Sequence, residues 1–291
     1  MNYLLQQLLN ALQLGSIYAL IALGYTMVYG ILTMINFAHG DLFMIGAFLC
    51  FLAGVTLGLP FVPTLLLSMA GAAMLGAVIE RLAYKPLRNA PRVSPIITAL
   101  GVGLFLENFT LALNPYPKHI APLLPTHIWT VGGVSVSSLQ AIIIVLSIFL
   151  MVLLDLYVNR TMTGMAMRAI SWDRANAALM GLPVDGIISA TFAIGAGLGG
   201  AAGVMYGLAY PVIDPYMGIM VGWKAFISAV VGGIGSIHGA MLGGFLLGAV
   251  EVLVAAYFPS TFRDFVSFSL LLVLLVGRPY GILGKPRPQK V

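Results

Sequence analysis

The chain has 291 residues, of which 60% are apolar and only 8% are charged, whereas charged residues make up about 25% of soluble globular domains. This composition excludes a soluble enzyme or binding domain and indicates a polytopic membrane protein. The length suffices for eight or nine spans of about 20 residues, so we predict an all-α membrane helix bundle with one transmembrane domain over 1–291.

The first apolar run starts at the N-terminus and continues to Met34 with no Lys or Arg before it. A cleavable signal has a basic segment ahead of its apolar core, so we predict that this run is retained as the first span. The single cysteine, Cys50, excludes a disulfide framework and a multi-thiolate metal site. Its apolar neighbours favour a packed side chain.

Apolar runs along the chain predict nine helices, which alternate across the membrane. They cover 8–33, 42–58, 62–83, 95–113, 138–158, 186–208, 218–235, 241–257 and 264–277. Two of them, 42–58 and 264–277, are the shorter candidates. The span count is therefore eight or nine.

The net charge of +5 comes mainly from three basic clusters beside apolar runs, and these orient the chain. The clusters are Arg81, Lys85, Arg88 and Arg92; Arg160, Arg168 and Arg174; and Arg278, Lys285, Arg287 and Lys290. By the positive-inside rule these segments face the cytoplasm. Nine spans then place the N-terminus outside, unless one early or late segment is a broken or re-entrant helix. No aromatic stacking platforms interleave the basic residues, which argues against nucleic-acid binding.

Glycines at four-residue spacing predict where helices approach closely. They are Gly195, Gly199, Gly203 and Gly207, and Ala240, Gly244 and Gly248 repeat the pattern. Such a groove serves either tight packing, which we favour, or sliding of one helix on another. A weak echo between 36–41 and 235–240, each with a His-Gly pair, suggests a duplication. The predicted orientation puts both pairs on one side, which does not fit an inverted repeat.

The polar segment 159–185 contains a predicted short helix. Asp173 is a suitable N-cap, Gly181 fits the left-handed C-terminal position, and Pro183 prevents continuation. A helix over 174–180 is roughly 10 Å long, too short to cross a bilayer. It either docks on a soluble partner, presenting Arg168 and Arg174, or lies in the headgroup layer.

Polar residues between the first two apolar runs form a second candidate site. Asn36, His39 and Gly40 would share one face if helical, and Asp41 follows them. Ionisable residues at membrane depth usually face a cavity or a pathway. This cluster is therefore either a gate at the inner mouth or a capped helix start, with Asp41 at the N-terminus of the next span. One His and one Asp are too few ligands for a metal site.

Three further polar residues interrupt the spans. Glu107 and Asn108 either contact the ammonium group of a substrate or lie near the outer interface, and we assign Glu251 a structural role. No GxxxxGK[ST] phosphate loop occurs, so we expect no ATP site and no other cofactor in this chain. No Gly-x-Ser-x-Gly elbow or catalytic pair occurs either, so we expect no catalytic residue.

The spacing Ala177-x-x-x-Gly181 in ANAALMGLP is similar to the EAA loop of ABC importer permeases, except that Ala175 and Asn176 replace its acidic start. Together with LGSIYALIALGYTMVYGILTMINFAHGDLFMIGAF near the N-terminus, MAMRAISWDRANAALMGLPVD and FISAVVGGIGSIHGAMLGGFLLG, it makes nearly the whole chain resemble LivH-type permeases of branched-chain amino acid ABC importers.

This resemblance implies a multi-pass permease of the bacterial inner membrane. Its partners would be a second related permease, two cytoplasmic ATPases that use the ATP, and a periplasmic substrate-binding protein. Arg168, Asp173, Arg174, Ala177 and Gly181 would couple the chain to the ATPases. Urea or another small amide is an alternative cargo. A secondary transporter or channel, working through Glu107 and Glu251, is a different class of alternative.

Overall fold

The computed structural model describes residues 2–88, 90–91 and 93–284, and this part of the chain is predominantly helical. Its α-helices are α1 (Asn2–Leu32), α2 (His39–Cys50), α3 (Phe61–Ile79), α4 (Val93–Leu113), α5 (Ser138–Arg160), α6 (Met162–Trp172), α7 (Arg174–Leu179), α8 (Val184–Ala209), α9 (Met217–Gly232), α10 (Ile237–Tyr257) and α11 (Phe262–Gly277). A π-helical turn, Phe51–Thr56, extends α2. Another, Glu80–Tyr84, extends α3 and leads into a 3₁₀ turn at Lys85–Leu87.

All nine predicted helical segments are helices, which confirms the all-α membrane bundle. Within the described ranges, seven helices are long and apolar enough to cross a membrane. The other two predicted spans are α9 and α11, with 16 residues each, or roughly 24 Å at 1.5 Å per residue. A helix of that length falls short of the hydrocarbon core of about 30 Å.

Contacts at the two ends of the bundle agree with the predicted alternation. At the outer end, β1 (Lys118–His119) pairs antiparallel with β4 (Val212–Ile213), and the Tyr3 hydroxyl near the N-terminus donates a hydrogen bond of 3.1 Å to the Ala256 carbonyl. A hairpin of β2 (Ile128–Val131) and β3 (Val134–Ser137) lies at the same end. At the inner end, Arg88 pairs with Asp185 at 2.5 Å. The N-terminus therefore lies at the same end as the β1–β4 pair and opposite the Arg88–Asp185 pair, which makes its end the outer one under the positive-inside prediction.

The helices before and after α5 pack in matching pairs. α1 packs along α10, and α8 packs along α3 in the same way. Likewise, α1 contacts α9, and α8 contacts α2. These pairs are expected if α1–α4 and α8–α11 are two copies of one four-helix unit related by a two-fold axis, so that α1 corresponds to α8 and α2 to α9. Because α1 starts at the outer end and α8 at the inner end, the copies are inverted. The contacts therefore indicate an inverted repeat, whereas the echo noted between 36–41 and 235–240 does not join equivalent parts of it.

The second helix of each repeat begins inside the bundle. After α1 ends, with Thr33 in the left-handed region at φ 54°, residues 33–38 turn back along it. The His39 ring then lies against Gly24, well before the end of α1, and Gly24 packs on Gly195 near the middle of α8. Residues 210–216 make the corresponding return between α8 and α9.

The N-terminal turns of α2 and α9 cross each other at glycines. Gly40 of α2 contacts Gly218 and Gly222 of α9 so closely that no side chain fits between the two backbones. From this crossing α2 runs outward and α9 runs inward. The predicted glycine grooves also form tight contacts. Gly203 packs on the α2 backbone and Gly244 packs on Ala19 of α1.

Candidate functional site

A cavity of about 280 Å³ opens beside the crossing of α2 and α9. Residues from α1, the return segment, α2, α4 and α9 line it. They are Tyr25, Phe37, Asp41, Ala99, Leu100, Gly103, Leu104, Glu107, Gly218, Ile219, Gly222 and Trp223. Asp41 and Glu107 were predicted as members of two separate candidate sites. The structure brings both into this one cavity.

Two carboxyl groups are the ionisable part of this cavity. Asp41 and Glu107 are each 5% exposed and close enough to interact. Gly103 makes room for Asp41, because a methyl group at that position would overlap its Oδ2. The other oxygen of Asp41, Oδ1, is buried without a hydrogen-bond partner in the described residues.

Asn36 and His39 lie behind the cavity and stabilise the non-helical segment 33–38 between α1 and α2. The Tyr84 hydroxyl donates a 2.7 Å hydrogen bond to Asn36 Oδ1, and the His39 ring packs edge-on against Tyr25 at 4.8 Å between centroids. The helix begins at His39, so the predicted helical face shared by Asn36, His39 and Gly40 is wrong. The alternative prediction of a capped helix start agrees only in that Asp41 lies in the first turn of α2, because no side chain of the described residues caps this turn and it lies within the bundle.

Asn108 does not belong to the cavity. Its side chain is exposed and donates a 2.7 Å hydrogen bond to the Leu104 carbonyl of its own helix. Successive residues on a helix point about 100° apart, so the inward position of Glu107 turns Asn108 outward. Glu107 and Asn108 were predicted together because they are adjacent in sequence, but they lie on different faces of α4.

Glu251 belongs to a separate buried network that joins four helices. The Tyr18 hydroxyl and the Ser267 hydroxyl each donate to its carboxylate at 3.0 Å. Lys224 pairs with the same carboxylate at 3.0 Å, and also with Asp264 at 3.0 Å. This arrangement fits the structural role predicted for Glu251.

The predicted short helix in 159–185 is present as α7. Asp173 caps it by accepting a 3.0 Å hydrogen bond from the Asn176 backbone N–H, and Gly181 takes the left-handed conformation at φ 78°. Ala177 lies on the buried face of α7 and is 5% exposed. The preceding helix α6 was missed, although Thr161, whose hydroxyl accepts from the Gly164 N–H at 3.0 Å, is an N-cap signal that the sequence offers.

Apolar side chains dominate the exposed surface of α6 and α7 at the inner end. Leu179 is 85% exposed, Met180 83% and Trp172 73%. Arg168, predicted to face a partner, donates a hydrogen bond from its guanidinium to the Val158 carbonyl and so fastens α6 to the C-terminal turn of α5. We call Trp172, Leu179 and Met180 the inner apolar surface.

An ion cluster joins the inner ends of the two repeats. Arg88 pairs with both Glu80, which is fully buried, and Asp185 at the start of α8. Lys85 pairs with Asp185 at 2.7 Å, and the Ser189 hydroxyl donates to Glu80. In the sequence these basic residues indicated only the orientation of the chain. An acid at 80 within a basic segment was the available sign that they are paired.

Comparison with known proteins identifies the family. The family model described as "Branched-chain amino acid transport system / permease component" matches residues 7–275. The chain is 43% identical over 304 residues to the high-affinity branched-chain amino acid transport system permease protein LivH of Escherichia coli, covering 99% of this chain and 98% of that protein. It is 45% identical over 300 residues to the corresponding permease protein BraD of Pseudomonas aeruginosa, with the same coverage.

A more distant relative is an archaeal protein. The probable branched-chain amino acid transport permease protein LivH of Methanocaldococcus jannaschii is 26% identical over 292 residues, covering 94% of this chain and 91% of that protein. No solved structure matches the chain. With a family match over nearly its whole length and relatives above 40% identity, the chain belongs to the permease components of branched-chain amino acid transport systems.

Proposed function

We propose that this chain is a permease subunit of an ATP-driven importer of branched-chain amino acids in the bacterial cytoplasmic membrane. It pairs with a second related permease, and two cytoplasmic ATPases and a periplasmic substrate-binding protein complete the complex. The full-length similarity to permeases named for these substrates supports the proposal. ATP is bound and used by the partner ATPases.

The inner apolar surface carries the coupling part of the proposal. Exposed apolar patches rimmed by polar groups mark protein interaction sites, and this one lies on short helices between two spans. A groove of about 560 Å³ between α6 and α7 adds concave surface, lined by Ala169, Trp172, Asp173, Asn176, Ala177, Met180 and Leu182. The ATPase docks here.

The residues predicted for coupling have two different tasks in this proposal. Asp173 and Gly181 define the ends of α7, and Ala177 seats it against α6, so these three fix the shape of the docking helix. Arg168 keeps α6 attached to α5. Arg174 begins α7 and supplies its positive charge, while Leu179 and Met180 make the apolar contact.

The cavity beside the crossing of α2 and α9 is the substrate path in this proposal. Transporters built from inverted repeats bind their substrates where discontinuous helices meet near the middle of the membrane. The Asp41 and Glu107 carboxyl groups face this cavity, while Asn36, His39 and Gly40 hold the break and the crossing that form it. A small displacement at the crossing would therefore change access to the path.

Reconstitution with the partner subunits tests both parts. The complex in proteoliposomes with ATP is expected to accumulate labelled leucine in preference to urea. Leu179→Glu with Met180→Glu should abolish co-purification of the ATPases, because two buried charges would face their cleft. The control is Ile128→Glu, at a 68% exposed apolar residue on the outer hairpin, which should retain the ATPases. Preference for urea would refute the substrate, and retention of the ATPases by the double variant would refute the docking surface.

A further inference from the structure

We infer that Asp41 and Glu107 form one subsite that binds the ammonium group of the transported substrate. The inference rests on the proposed function and names the chemical class that the cavity accepts: a small molecule with a primary ammonium group beside an aliphatic side chain. Neutral amides and 2-oxo acids lack the ammonium group, and the subsite discriminates against both.

Comparison with the other buried acids supports this assignment. Glu80 has the Arg88 guanidinium as its cationic partner, and Glu251 has the Lys224 ammonium. Asp41 and Glu107 are equally enclosed, yet neither forms an ion pair with any Lys, Arg or His in the described ranges. Carboxylates inside a membrane protein pair with a cation, take up a proton or face water. Asp41 and Glu107 contact each other instead, so the two acids that border the cavity are the two without a cationic partner among the described residues.

The carboxylate of Asp41 has an oxygen without a hydrogen-bond donor among the described residues. Its Oδ1 is buried without a hydrogen-bond partner among the described residues, and leaving such an atom unsatisfied is costly. An ammonium group has three donors, enough to serve Asp41 and Glu107 together. Charge-assisted hydrogen bonds of this kind are about twice as strong as neutral ones.

The rest of the cavity suits the side chain of a branched-chain amino acid. Aromatic and aliphatic side chains form one wall, with the Phe37 and Trp223 rings 5.4 Å apart and Leu100 and Leu104 beside them. Gly218, in the first turn of α9, borders the cavity beside Asp41, since a Cβ there would lie 2.8 Å from Asp41 Oδ1. The cavity therefore offers an anionic region and an apolar region.

The test measures uptake in the complete complex with Asp41→Asn, Glu107→Gln and both together. Each substitution keeps the size of the side chain and removes its charge. The half-saturating concentration of leucine is expected to rise about 10- to 100-fold, the usual loss for a hydrogen bond to a charged group. The control is Asn108→Ala, at the neighbouring residue that faces outward, which should leave uptake unchanged.

A second measurement separates binding of the ammonium group from a structural role. 4-Methyl-2-oxopentanoate has the carboxylate and side chain of leucine but no ammonium group. Wild-type complex should take up leucine and be poorly inhibited by the oxo acid, and the charge-removing variants should lose this discrimination. A merely structural role would reduce both interactions equally. Glu107→Asp, which keeps the charge, should preserve the discrimination even where the amount of assembled complex falls.

Two results would overturn different statements. Wild-type leucine affinity and discrimination in the double variant would overturn the ammonium subsite and leave the importer function intact. Failure of the wild-type complex to accumulate leucine would overturn the function itself. If the double variant does not assemble, the single variants decide. Equal discrimination between leucine and 4-methyl-2-oxopentanoate in Glu107→Gln and Glu107→Asp would overturn the subsite.

Discussion

Replacing Gly40 by alanine tests the helix crossing on which the cavity depends. A Cβ at this position would lie 2.8 Å from the Gly222 Cα and closer still to the Gly218 carbonyl oxygen. Both obstacles are backbone atoms, which cannot turn aside as a side chain can. The two helices must therefore separate until the 2.8 Å contact reaches ordinary van der Waals distance, which begins at 3.4 Å.

The expected loss of stability follows from two opposing effects. Overpacking of this kind costs about 1–3 kcal/mol, and alanine in a helix recovers up to about 1 kcal/mol relative to glycine. Gly40 is the second residue of α2, where the helix-propensity gain is smaller. We expect a net destabilisation of about 1–2 kcal/mol together with reduced leucine uptake, since the separated helices also form the cavity.

Thermal unfolding of the purified chain in detergent, followed by uptake in the reconstituted complex, measures both effects. The matched control is Gly101→Ala in α4, where nothing lies within 4 Å of the added methyl group. That variant should unfold at the wild-type temperature or slightly above it. An unchanged melting temperature for Gly40→Ala would refute the close crossing, and an equal loss in both variants would point to a general intolerance of alanine.

Two further substitutions test the inner end of the bundle. Arg88→Met should cost about 3–5 kcal/mol because it leaves the buried Glu80 carboxylate without its cation, whereas Lys85→Met, at a 49% exposed side chain, should cost less than about 1 kcal/mol. Unfolding in detergent distinguishes the two, and similar losses would contradict the burial of the Glu80 pair. Asp173→Ala should destabilise α7 by about 1 kcal/mol through loss of its N-cap, seen as faster amide hydrogen exchange over 174–179. Asp173→Asn should restore most of the protection.

The sequence was sufficient for the helices and for α7, because these depend on local patterns. Apolar runs gave all nine long segments, and the cap at Asp173 with glycine at 181 gave α7 within one residue. Local patterns assigned Asp41 and Glu107 to different candidate sites, because the two residues are far apart in sequence. Their meeting depends on how α2 packs against α4, and apolar periodicity does not specify packing partners.

The inverted repeat was beyond the sequence for a related reason. The polar residues at 36–41 marked a break between helices, but hydropathy does not give the depth at which the break lies. The His39 ring lies against Gly24 only because glycine has no side chain, since a Cβ at this position would overlap the ring. The partner of Glu80 was missed because a positive-inside count treats basic residues as signals and ignores their ion pairs.

The ion cluster connects the proposed docking helix, α7, to both repeats. α7 is followed almost immediately by α8, the first helix of the second repeat. Asp185 at the start of α8 pairs with Lys85 and Arg88, which lie in the turn after α3 of the first repeat. A pull on α7 would therefore reach both repeats at one point and at the same moment. In the proposed importer, one stroke of the ATPases would therefore move the inner ends of both repeats together.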